Sequence, residues 1–345
     1  MRLESVRDLK NSLPRMLEKR FSRVGRGGAA PFSLAAARGA SFASTVPSYA
    51  LGVSAGKKND YRLAVRIQHR SLMGSELVAS IKDAAKGEAE VRYIGRVTAG
   101  KRAVSKRATR PWFQSRQRPL LIGSSCGYLR SDLVMAGTLG CFVRRKSGGP
   151  ALILSNNHVL ADEGRYRKGG PIVQPGALDG GDPSRDRVAK LSSFVKFRSQ
   201  PKDNYVDAAV AAIDAGIEFE PAELRGIGTL AGFASQPLDI REEVHKVGRT
   251  TGVRHGRVTA IELDGVLVEY DTGIFSFDNQ IEIEGEGSRS FSDAGDSGSL
   301  IVDDELRGAA LLFAGSEEGG SNDRGLTYAN PLRAVLSRMK LELLF

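Results

Sequence analysis

Beyond Leu120 the chain is mostly short apolar runs cut by Gly, Asp and Asn turns, and this pattern limits its fold more than any other feature. Residues 137–144, 151–155, 208–213, 243–246, 257–262, 266–270, 280–284, 299–302 and 309–314 read as strands. Short strands at this spacing predict a β-sandwich or barrel. The end departs from the pattern. Pro331 at an early helical position, followed by Leu332, Val335, Leu336 and Met339, predicts a terminal helix packed on the barrel.

The first 120 residues have another texture. Val6, Leu9, Leu13, Met16 and Leu17 fall three and four apart and predict an amphipathic helix over 1–20, which Pro14 is expected to break or kink. Residues 21–55 are rich in Gly, Ala and Ser and read as loosely ordered. Residues 61–68 alternate as a strand, 75–85 have a helical period, and 90–97 are strand-like again, so a small α/β unit is expected. Residues 101–118 carry Lys101, Arg102, Lys106, Arg107, Arg110, Arg116 and Arg118 with no acid, and read as a linker. The expected organisation is a basic N-terminal arm over 1–55, a small α/β unit over 56–100, a basic linker over 101–120 and a β domain over 121–345.

The net charge of +10 is unevenly spread. Residues 1–120 hold 25 Lys and Arg against 8 Asp and Glu, and the rest holds 25 against 32. The bland reading is solubility plus a solvated linker. The sharper one is a docking surface for an acidic partner, whether protein, nucleic acid or membrane. Trp112 and Phe113 either stack on bases or anchor the linker to a domain surface. No run of eighteen apolar residues occurs, so no membrane span is expected. The first eight residues have no apolar stretch behind their charges and do not read as a secretory signal. Cys126 and Cys141 are too few for a disulfide framework and fit a reducing, cytoplasmic setting, with a single bridge between them left open.

Chemistry concentrates at Gly295-Asp296-Ser297-Gly298, just before the apolar strand Leu300-Ile301-Val302. A serine between glycines ahead of a buried strand suggests a nucleophile presented on a tight turn, with glycine backbone free to adopt unusual angles. Amide hydrogens left unpaired in such a turn face a developing oxyanion. A serine hydroxyl needs a base. Of His69, His158, His245 and His255, His158 is the candidate, because it follows the strand Ala151-Leu152-Ile153-Leu154. The imidazole in turn needs a carboxylate. Asp207, immediately before the apolar run Ala208–Ile213, is preferred over Asp203 in its Pro/Lys/Asn turn.

With His158, Asp207 and Ser297 in that order, the chain resembles trypsin-like serine peptidases of the chymotrypsin fold. Val247-Gly248-Arg249-Thr250-Thr251-Gly252 resembles the Gly-Arg-Thr-Thr-Gly hairpin of the bacterial α-lytic protease and streptogrisin branch. The resemblance runs from about Gly137 to the C-terminus. Residues 56–160 are also similar to predicted trypsin-like peptidases of bacteria and plants with an N-terminal α/β extension. The fold implied is mainly β: a chymotrypsin-like double β-barrel of two six-stranded barrels with a C-terminal helix, preceded by a small α/β unit. His158 and Asp207 would come from the first barrel and Ser297 from the second. The backbone amides of Gly295 and Ser297 would form the oxyanion hole, and a protein or peptide substrate would be cleaved through an acyl-enzyme. No cofactor and no metal are implied.

Several positions depart from the relatives. His245 and His255 stand where the secreted relatives close the hairpin with a disulfide, and read as a cross-strand pair rather than a metal site. Val159 and Phe291 stand where cysteines are common. Lys246 matches the basic position that pairs with the aspartate next to the nucleophile, so a Lys246–Asp296 ion pair is expected. The substrate pocket is expected to involve Phe291, Ser292 and the strand near Leu312–Gly315, including Ala314. With Phe291 at its base and Asp293 two residues on, it is expected to take a small or medium uncharged side chain. A peptidase-fold scaffold without catalysis is the competing reading, and the oligomeric state is left open.

Overall fold

The structure is a computed structural model that describes residues 1–24, 49–57, 60–99, 110–130, 133–199 and 204–345. Helix α1 (Leu3–Val24) continues through Pro14 instead of ending there. Proline forfeits one backbone bond, but Val6, Leu13 and Leu17 are buried along one face against the strands that follow, and that packing holds both halves. Strand β1 (Tyr49–Ala55) lies in the stretch expected to be loose. Ala50, Gly52 and Ser54 are poor strand formers. Gly52 is required nonetheless, since a β-carbon there would meet Ile261 O at 2.8 Å. Strand β2 (Tyr61–Ile67), helix α2 (Glu76–Ala84) and strand β3 (Ala89–Tyr93) form a parallel crossover unit, with Ser75 capping the helix. The second expected strand divides here, because a separate two-residue strand β4 (Val97–Thr98) follows β3.

The first barrel contains β5 (Ser125–Arg130), β6 (Cys141–Arg145), β7 (Leu152–Ser155), the single turn α3 (Asn157–Leu160), β8 (Pro171–Val173), β9 (Arg187–Phe194) and β10 (Ala209–Ile213). The antiparallel order is β6-β7-β10-β9-β8-β5. Among the described residues no ladder joins β5 to β6, so this ring stays open where a closed six-stranded barrel was expected. The second barrel is built from β11 (Glu243–Gly248), β12 (Gly252–Asp264), the hairpin β13 (Val266–Tyr270) and β14 (Gly273–Phe277), then β15 (Gln280–Gly285), β16 (Leu300–Asp303), β17 (Arg307–Ser316) and β18 (Thr327–Pro331). Here the ring closes, in the order β11-β12-β15-β18-β17-β16 and back to β11. Helix α4 (Leu332–Met339) buries Leu332, Val335, Leu336 and Met339 in the core of the first barrel. The last strand, β19 (Leu341–Leu343), pairs with β6, so the C-terminus ties the barrels together.

The N-terminal unit is woven into the second barrel. β12 outruns β11, and the edge of its far half that β11 leaves pairs with β1. β4 lies between β13 and β17, with Thr98 opposite both Glu269 and Gly315. Arg66, fully buried on β2, donates to both oxygens of Glu282 on β15 at 2.7 and 2.8 Å. Basic residues of the front meet acids of the second barrel at Arg7–Glu262, Lys10–Asp264, Arg92–Glu284 and Arg96–Glu269 as well. The charge asymmetry along the sequence thus becomes complementarity inside the molecule.

Candidate active site

His158 sits in α3, one turn after β7, and is 1% exposed. Asp207, fully buried, precedes β10, the neighbour of β7 in the sheet. His158 Nδ1 and Asp207 Oδ2 are 2.5 Å apart. The Asn157 amide donates to Asp207 Oδ1 at 2.6 Å, and the Tyr270 hydroxyl donates to Oδ2 at 2.9 Å. The backbone is held too. Asp207 N donates to Asn330 Oδ1 at 2.9 Å, and Asn156 Nδ2 donates to Asp207 O at 2.8 Å. With Nδ1 facing the carboxylate, the neutral imidazole carries its lone pair on Nε2. That nitrogen is buried and, among the described residues, has no hydrogen-bond partner.

Ser297 belongs to a turn stitched onto the same end of the first barrel. Thr138 N donates to Ser297 O at 2.9 Å, and Thr138 Oγ1 donates to Gly295 O at 3.0 Å. Gly298 has φ +94°, and a β-carbon there would meet Ser155 Oγ at 2.1 Å and Thr138 O at 2.4 Å, so only glycine fits. Ser155 ends β7, three residues before His158. A β-carbon on Gly137 would touch Val159, the residue after His158, and Ser297 O together. The turn and the imidazole therefore share one corner of the molecule. Gly295, at φ +98°, opens the turn. Asp296 N donates to Asp293 O and Gly298 N to Leu312 O, whereas among the described residues the amides of Gly295 and Ser297 donate no hydrogen bond.

Asp296 turns inward. Its carboxylate accepts from Thr250 N, Thr251 N, Thr251 Oγ1 and Asp293 N, and lies 2.9 Å from Lys246 Nζ, both partners being buried. Burial pushes the Asp296 pKa up, but the Lys246 charge and these donors outweigh it and hold it below the ordinary carboxylate value. Burial lowers the Lys246 pKa against the pull of Asp296. Next to this pair, Arg249 donates through two nitrogens, each at 2.7 Å, to Asp179 of the first barrel. Tyr270, Asn330 and Asp179 are site neighbours that the sequence did not single out. Their contacts Asp207 and Arg249 did carry local signals, an acid ahead of an apolar strand and a place in the hairpin motif.

The expected pocket residues lie on the second barrel, where Ser292 reaches Thr327, the strand partner of Gly315 beside Ala314. Phe291 is closed off in the core of the second barrel with Val244, Val258, Ile283 and Ile301. Ser292 Oγ bonds Thr327 Oγ1 at 2.6 Å, and Ala314 on β17 is buried opposite Tyr328. His245 and His255 face each other across β11 and β12 with Nδ1 atoms 2.6 Å apart, and His245 Nε2 reaches Asp304 at 2.9 Å. Cys126 and Cys141 are free and buried, and burial raises both thiol pKa values. Phe113 lies against Gly252, Gln114 Nε2 bonds Arg249 O at 3.0 Å, and the Arg225 guanidinium stands 5.0 Å over Trp112, so this stretch is fastened to the hairpin and its surroundings. Asp203 and residues 101–109 lie outside the described residues. Among those described, no helix is long and apolar enough to cross a membrane.

The chain resembles bacterial chymotrypsin-fold serine proteases. Thermobifida fusca Protease A superposes with TM-score 0.44 at 18% identity over 65% of this chain and 98% of its own. A Nocardiopsis protease does so with TM-score 0.45 at 16% identity over 66% and 99%. No family model matches the chain. Among curated proteins, NARROW LEAF 1 of Oryza sativa subsp. japonica is 28% identical over 212 residues, which take in 55% of this chain and 35% of that protein. The match therefore spans about a third of the relative's length.

Proposed function

We propose that this protein is a serine endopeptidase acting through Ser297, His158 and Asp207, with access to the site regulated by its N-terminal region. The observation that carries the reading is the buried His158–Asp207 pair, whose free Nε2 lies at the corner where the Gly295–Gly298 turn is docked. Ser297 Oγ attacks a peptide carbonyl while His158 Nε2 takes its proton, and Asp207 stabilises the imidazolium. The oxyanion is received by the Gly295 and Ser297 amides. His158 returns the proton to the leaving amine, and water resolves the acyl-enzyme by the same steps in reverse order. The hydrogen bond from Oγ to Nε2 forms when substrate is seated.

The support for regulation is local. The Gly298 N to Leu312 O bond sets the far end of β17 beside the nucleophile, and an extended peptide adds to such a strand edge through its main chain. At Gly315 and Ser316 that edge is already taken by Thr98 and Val97. Labelling by a fluorophosphonate tests the reading. The full-length protein is expected to label. Ser297→Ala is expected to abolish labelling, and His158→Ala to slow it roughly a hundredfold or more. No labelling of the wild type, or full labelling of Ser297→Ala, sinks the proposal.

A further inference from the structure

Asp207 Oδ2 accepts two hydrogen bonds, one from the imidazole and one from a phenol. The phenol comes from outside the first barrel, since Tyr270 ends β13 in the hairpin attached to the second. Its ring stands edge-on to His158, centroids 5.8 Å apart. It packs against Phe197 at 4.7 Å and against Phe275 and Phe277. Burial, and next the Asp207 charge, push its pKa well above the ordinary phenol value, so it remains a neutral donor. A buried phenol needs a partner, yet many carbonyls would serve. This one meets the carboxylate oxygen that also holds the imidazole.

The hydroxyl is placed from two sides. The Glu163 carboxylate accepts from Asp271 N at 3.2 Å and Thr272 N at 2.9 Å, the two amides directly after Tyr270. Asp162 and Glu163 hold φ of +49° and +57° there, a backbone region costly for residues with a β-carbon. On the other side Ala99 N donates to Glu269 O at 3.2 Å, so β4 pins the residue before Tyr270.

We propose that Tyr270 is a positioning residue for the His158–Asp207 pair: its hydroxyl fixes Oδ2 in line with His158 Nδ1 and shares that oxygen's charge. The inference rests on the serine-peptidase reading above. A donor that shares the carboxylate charge weakens its hold on an imidazolium, and removing the donor strengthens it. Among the described residues, the other charges on the segments around this ring include Asp162, Glu163, Arg165 and Asp271, with Arg165 3.7 Å from Asp271 and 2.7 Å from Asp162, and the substitution leaves them in place.

The test is the second-order rate of fluorophosphonate labelling against pH for full-length wild type and Tyr270→Phe, with folding checked by circular dichroism. The plateau rate is expected to fall roughly three- to tenfold, the worth of one such hydrogen bond. The acid limb is expected to move to higher pH by about half a unit. A Tyr270→Phe profile that overlays the wild type overturns the proposal. So does a slower rate with an unmoved acid limb, which would make Tyr270 packing alone. Should Tyr270→Phe misfold, Tyr270→Trp keeps an aromatic body without the phenol, and the same two outcomes decide. A wild type that labels at no pH overturns the peptidase reading, and this inference falls with it.

Discussion

A buried charge has to be neutralised, and Lys246 does this for Asp296, the residue before the proposed nucleophile Ser297. Removing one partner of a buried pair costs about 3–5 kcal/mol, because the other charge is left uncompensated. Lys246→Met is therefore expected to lower stability by about 3 kcal/mol and to slow fluorophosphonate labelling, since the Asp296 turn frames Ser297. A variant with full labelling and an unchanged denaturant midpoint would remove this role. The sign of the pH effect follows from the lowered Asp296 pKa. The contribution of Asp296 is present above its unfolded value of about 4 and is lost as pH falls through its lower folded value. Urea midpoints measured from pH 6 downward are expected to fall in the wild type and to fall less in Asp296→Asn. At this scale the sequence was partly legible. Lys246, Asp296 and His158 sit in local patterns that name them. Tyr270, Asn330 and Asp179 reach the site only through folding, and nothing in their neighbours marks them.

Elements were legible where burial leaves a period. α2 and α4 keep their buried residues at helical spacing, whereas β2, buried on both faces from Leu63, and β3, half-buried throughout, lie where expected without an alternating burial. β1 was hidden because small residues, which look like loop, are what a strand needs when pressed between two others. β4 was hidden for another reason: a two-residue strand has no period, and only its partners make it one. Its place gives a prediction. Thr98→Pro removes an N–H and disfavours the strand. Peptide hydrolysis is expected to rise roughly fivefold, the worth of about one ladder hydrogen bond, while labelling by a small fluorophosphonate stays nearly constant. If both fall together, β4 supports the site instead of covering it.

Across the whole molecule, the division expected at residues 55/56 and 100/101 meets a continuous sheet. β1 to β3 extend the second barrel through β12, and β4 enters it between β13 and β17. Arg66 and Glu282 are fully buried at this seam. Arg66→Ala is expected to cost about 3–5 kcal/mol and to lower the melting temperature of the second barrel with that of the N-terminal unit, in one transition. Two separate transitions, with the barrel unmoved, would show the unit to be an independent attachment. The basic front half read from sequence as a docking surface for something acidic. In the described residues that acid is largely the chain's own second barrel, a match invisible in a linear count because its partners stand 173 to 255 positions apart on the chain.

The same seam has a consequence for handling the protein. The far half of β12, the outer side of β13 and the end of β17 are all covered by strands from the first hundred residues. Deleting those residues uncovers three strand edges at once, and bare edges recruit other chains. A fragment starting near residue 110 is therefore expected to come out of solution as aggregate. Its silence in an assay would report sticky edges, whatever the state of Ser297.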